Sequence, residues 1–152
     1  MSIDFLSAAA YGEYLSIDDA LKTVPNPQDV INVQDAYGLT MLTEATRNNH
    51  KQAVAYLLDH GAQVDVQDKT GATPLIHACC SAHMDIIQLL VSHHANLNLQ
   101  DSLGNTALHY AASNNRDDVV RYLIHCDADL SIRNKEGKLA LDWLNSLSCY
   151  CL

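Results

Sequence analysis

Positive charge is scarce in this sequence. Nine Lys and Arg stand against 18 Asp and Glu in 152 residues, a formal charge of -9 with neutral histidines. No Lys or Arg occurs between Lys69 and Arg116. Such a field repels a phosphate backbone, which excludes nucleic acid as the expected partner. No basic cluster is present to recruit an anionic membrane. Long apolar runs are missing too, and no stretch approaches the length that spans a bilayer. The opening Met-Ser-Ile-Asp-Phe-Leu-Ser-Ala-Ala-Ala lacks the basic start of a secretory leader, carries Asp4 early, and has too short an apolar run. The five cysteines, at 79, 80, 126, 149 and 151, are odd in number and show no disulfide spacing. A reducing compartment, the cytoplasm, is the expected location.

What is present is repetition. One phrase begins at Asp35 (Asp-Ala-Tyr-Gly-Leu-Thr-Met-Leu-Thr-Glu-Ala). It returns at Asp68 (Asp-Lys-Thr-Gly-Ala-Thr-Pro-Leu-Ile-His-Ala) and at Asp101 (Asp-Ser-Leu-Gly-Asn-Thr-Ala-Leu-His-Tyr-Ala), 33 residues apart each time. A weaker copy starts at Asn134 and keeps Gly137 and Leu141. Fixed periods of this size mark stacked-repeat solenoids. The phrase resembles the ankyrin repeat, with its Asp-x-x-Gly-x-Thr-Pro-Leu-His-x-Ala-Ala consensus. The resemblance covers almost the whole chain. It implies an all-α solenoid of helix-turn-helix units with projecting β-hairpin loops, about four repeats and a C-terminal half-repeat cap. The whole chain, 1–152, then forms one domain: a divergent first unit at 1–34, full units at 35–67, 68–100 and 101–133, and a cap at 134–152.

Within a unit the local signals agree with that expectation. Thr73 is placed to cap a helix, and Pro74 suits the first helical position because its missing N–H would be unpaired anyway. The first helix is expected to run to about Ala82 and the second to start near Met84. Ile86, Ile87, Leu89, Leu90 and Val91 make the second helix apolar nearly all round. Gly61 ends one second helix where a left-handed residue is needed, and His94 and Asp127 hold the matching positions. The first unit shows Phe5, Ala8-Ala9, Gly12 and a second helix through Ile17, Ala20 and Leu21. It lacks the opening Asp-x-x-Gly, and a loop at Val24-Pro25-Asn26-Pro27 is inserted after it. Terminal units of a solenoid need cover a neighbour on one side only, so their divergence is expected.

In this family the loop tips and the concave face of the first helices carry partners. Mapped onto this chain, that surface holds Tyr37, Leu39, Arg47, Lys69, His77, Cys80, Leu103, Tyr110 and Asn114. Tyr37, Leu39, Leu103 and Tyr110 stand out because aromatic and apolar groups there are not demanded by the fold, and anchors of this type dominate interface energy.

Other chemistry finds little support in the sequence. His77, Cys80 and His83 share one side of a helix, but zinc sites use paired ligands from two segments, so no metal is expected. His109 should bond to Thr106. A Cys80–His77 nucleophile would need an oxyanion donor, and none is evident, so catalysis and cofactors are not expected. Cys149-Tyr150-Cys151-Leu152 matches a loose prenylation box. Membrane association is not expected unless Cys149 is lipidated. The reading is a non-enzymatic monomer that binds one protein partner, of basic character if charge guides it. The alternatives are an inhibitor or immunity-type protein blocking a toxin or enzyme, and a bacterial host-directed effector with a lipidated C-terminus.

Overall fold

A computed structural model describes residues 5–144. Four antiparallel helix pairs stack side by side. The first pair is α1 (Phe5–Ala10) and α2 (Tyr14–Thr23), followed by the single turn α3 (Gln28–Ile31). The next three pairs are α4 (Met41–Arg47) with α5 (Lys51–Asp59), α6 (Pro74–Ser81) with α7 (Met84–Ser92), and α8 (Ala107–Ser113) with α9 (Asp117–His125). A 3-10 turn, Ala140–Asp142, lies against α8 in place of a fifth first helix.

The helix boundaries follow from caps. Thr40 and Thr73 hydroxyls accept from Thr43 N and Ile76 N at 3.2 Å. At Thr106 the backbone N–H donates to His109 Nδ1 at 3.2 Å, and the hydroxyl lies 2.8 Å from the same nitrogen. Gly61, His94 and Asp127 have φ of 89, 63 and 63°, the left-handed ends anticipated for the second helices. The first helices end the same way, at Gly12, Asn49, Ala82 and Asn115.

Small residues let the pairs close up. Ala45, Ala78 and Ala111 are fully buried on the first helices, and Leu57, Leu90 and Leu123 fill the second layer. The second helices are not apolar all round. Asp85, Gln88 and Ser92 of α7 are exposed, because neighbouring units and α6 cover three sides and leave the fourth to water.

Three hydrogen-bonded rails join the units, each repeating at the sequence period. At the loop tips, Lys69 N donates to Tyr37 O, Ser102 N to Thr70 O and Lys135 N to Leu103 O, at 2.8–3.0 Å. Behind the tips, Gln34, Gln67 and Gln100 each donate from Nε2 to their own turn carbonyl, Gly38, Gly71 or Gly104, at 2.6–2.7 Å. The same nitrogens donate to Gln67 O, Gln100 O and Arg133 O of the following unit at 2.9–3.1 Å. At the far edge, Asn32, Asp65 and Asn98 accept from Gln63 N, Asn96 N and Asp129 N at 2.8–3.0 Å. Gly71 shows how close the tips lie: a Cβ there would meet Ser102 N at 2.8 Å, and its φ is +79°. Among the described residues the projecting loops are tight turns without assigned strands, apart from one isolated bridge between Arg133 and Leu139.

Candidate functional site

The turn aspartates set the geometry of the tips. Asp35 Oδ1 accepts from Tyr37 N and Leu39 N at 2.8 Å, which lifts the Tyr37 ring clear of the body at 73% exposure. Asp101 Oδ1 does the same for Leu103 N and Asn105 N at 2.9 Å, and the Leu103 side chain is 60% exposed. Lys69 stands exposed between them.

A groove of about 540 Å³ opens behind the first two tips. Asp35, Tyr37, Leu39, Lys69 and Thr70 line its tip side, and Glu44, Arg47 and His77 its helix side. It continues along the first helices into a polar recess lined by Asn48, Cys80 and Ser81. Arg47 Nη1 donates to Glu44 Oε1 at 3.1 Å. His77 Nε2 meets Asp68 Oδ2 at 2.8 Å. Burial raises the Asp68 carboxyl, but bonds from Thr70 and His77 outweigh it and hold the group below its ordinary range.

Six sequence-predicted residues therefore meet in one place: Tyr37, Leu39, Arg47, Lys69, His77 and Cys80. Leu103, Tyr110 and Asn114 lie one unit further on and do not line that groove. Two expectations need correction. Leu39 is not an outward group: it is 7% exposed, because the chain turns inward after Gly38 and both Leu39 N and Leu39 O are tied to Asp35. It forms part of the groove wall rather than a projecting anchor. Tyr110 is not a free aromatic either. It is half-buried, and its hydroxyl donates to Asp101 Oδ2 at 2.5 Å. Burial, and then that bond, push its hydroxyl up to about 12. Asn114 is exposed but bridges units, donating to Cys80 O at 3.2 Å.

Tyr11 escaped the sequence reading. It is 76% exposed at the end of α1. Glu13 N donates to Ala8 O at 2.9 Å, as His50 N does to Ala45 O and Arg116 N to Ala111 O, so Tyr11 stands in register with Asn48 and Asn114 on the concave face. The signal was the Ala-Ala…Gly spacing of the first unit, which fixes this register even without the opening turn motif.

The thiol and the imidazole of the groove are both restrained by their surroundings. Burial pushes the Cys80 thiol up to about 11, and the Asp101 charge adds to it, so the thiolate is scarce at neutral pH. His77, its candidate base, is committed to Asp68. Among the described residues no group of His, Cys, Asp and Glu gathers in a metal-binding arrangement. No described helix is long and apolar enough to cross a membrane. Cys149 and the terminal prenylation box lie outside the described residues.

Stacked helix pairs with tips locked in a 33-residue register define a solenoid repeat protein that presents a continuous surface on one side. The family model described as ankyrin repeats (3 copies) matches residues 5–101 and again 61–134. The chain belongs to the ankyrin-repeat family. Ankyrin repeats generally mediate protein–protein interaction and are typically non-enzymatic. A comparison with curated proteins gives no match.

Proposed function

We propose that this protein is a non-enzymatic module that binds one protein partner across its loop tips and concave helix face. The supporting observation is the placement of Tyr37, Leu103 and Tyr11, three large side chains exposed by more than half at outward positions. Tyr37 and Leu103 stand on units tied by three rails, so little ordering entropy is lost when a partner docks. An ordinary interface takes about 20 residues a side, more than one unit supplies, so contact spans at least two units. The charge of -9 favours a basic partner through steering. Such a monomer acts by occupancy, masking or blocking what it holds. Cys79, Cys80 and Cys126 are free thiols, which suits a reducing, cytoplasmic setting.

The experiment is capture of partners from native lysate, followed by affinity measurement with the partner found. Replacing Tyr37 and Leu103 together by Ala should weaken binding by at least about 2 kcal/mol while helicity and melting stay near wild type. Changes at exposed Gln52, Asp85 and Asp118 on the opposite face should be nearly silent. A partner that tolerates the first pair and is lost with the second set would reverse the assignment of faces.

A further inference from the structure

The second unit differs from its successors at one point that faces the groove. In the third and fourth units the turn aspartate divides its oxygens. Oδ1 caps the loop, and Oδ2 accepts from the side chain nine residues on. That donor is His77 for Asp68, at 2.8 Å, and Tyr110 for Asp101, at 2.5 Å. Asp35 uses Oδ1 in the same way. The residue nine on is Glu44, which when ionised donates nothing. Glu44 turns instead to Arg47 at 3.1 Å and Asn48 at 3.3 Å. Among the described residues no side chain donates to Asp35 Oδ2, and Asp35 makes no ion pair.

We propose that an arginine on a basic, extended segment of the protein partner fills this missing donor position, its guanidinium seated between Asp35 and Glu44. The proposal rests on the reading of this surface as a protein-binding face. Three carboxylates, of Asp35, Glu44 and Asp68, line the groove against two cations, Arg47 and Lys69. Arg47 and Glu44 pair with one another, which removes one charge of each sign and leaves Asp35 and Asp68 against Lys69, so the balance is acidic. The walls are suited as well. Tyr37 offers an exposed ring for a guanidinium to stack on, and buried Leu39 supplies an apolar wall for the side-chain stem. Arginine fits better than lysine because its planar fork spans two carboxylates and is more weakly hydrated. The volume of about 540 Å³ leaves room for the apolar residue beside it.

The test uses two blocked peptides, acetyl-Ala-Leu-Arg-Leu-Ala-amide and its citrulline counterpart, titrated into isotope-labelled full-length protein and followed by amide chemical shifts. The arginine peptide should give saturable shifts at Tyr37, Leu39 and Lys69. The neutral citrulline peptide should bind about tenfold more weakly. Asp35→Asn keeps the Oδ1 acceptor that caps the loop and should weaken the arginine peptide at least about fivefold. Glu44→His restores the internal donor of the third unit and should abolish binding, with the helical circular dichroism unchanged. If Asp35→Asn disturbs the fold, Glu44→His carries the comparison. No saturable shift at about 10 mM peptide, or equal binding of the citrulline form, overturns the arginine seat. A captured partner that needs Tyr37 and Leu103 but is indifferent to both groove variants would refute the seat and leave the protein-binding face standing. Peptide binding here, with no partner engaging Tyr37 or Leu103, would do the reverse.

Discussion

Ala82 occupies a backbone conformation that its neighbours in register fill with better-suited residues. Its φ and ψ are 56 and 39°, the left-handed region, where Gly12, Asn49 and Asn115 hold the matching places. A Cβ there costs about 1 kcal/mol, which glycine avoids. Ala82→Gly should therefore raise stability by about 0.5 kcal/mol or more, while Ala78→Gly, inside the same helix, should lower it. Urea midpoints of the two variants, moving in opposite directions, would confirm the assignment.

His109 gives a second residue-scale expectation. Burial holds its pKa below the ordinary imidazole value and outweighs the Lys138 carbonyl, 3.2 Å from Nε2, which works the other way; Nδ1 accepts from Thr106 N. The unfolded chain then binds a proton more readily than the folded one, so stability rises with pH across the window below 6.5. It is full above that value and lost as pH falls towards the lowered folded pKa. His109→Gln should flatten this slope, read from denaturant midpoints between pH 7 and pH 5. An unchanged slope would mean that another group carries it.

At the scale of elements, α7 and the loop at Asp101 make opposite demands on leucine. Leu90 is fully buried between units, and Leu90→Ala should cost about 2–5 kcal/mol through the cavity it leaves. Leu103 stands at a tip, and Leu103→Ala should change stability by no more than roughly half a kcal/mol. Equal losses in thermal melts would overturn the register of the whole solenoid. The same elements show what could be read without coordinates. Caps and helix ends were legible because Thr-Pro-Leu and Gly61 encode local backbone geometry. The exposure of Leu39 and Tyr110 was not, because it depends on how a loop folds back and on which atom a hydroxyl reaches. The glutamine rail was equally hidden: nothing in the residue types of Gln34, Gln67 and Gln100 shows that two carbonyls come within reach of one nitrogen.

At the scale of the whole molecule, architecture was written in the period, and the working face was written only in part. Tyr37 and Leu103 were legible as tip residues because the turn motif locates them. Tyr11 was not, since the first unit lacks that motif. The groove was invisible as a groove, for it arises only when the tips of two units and two first helices come together.

The three rails also define how this molecule would carry a load. Tension applied along the stack passes through tip, glutamine and edge bonds in parallel at the two inner junctions, between the second, third and fourth units, through fewer of them at the two ends, and through successive junctions in series. Junctions in series share one force, so the weakest gives way first while the others hold. The structure is built as a chain of detachable links rather than as one block: strain at an end unit is relieved there, and the groove between the second and third units keeps its shape.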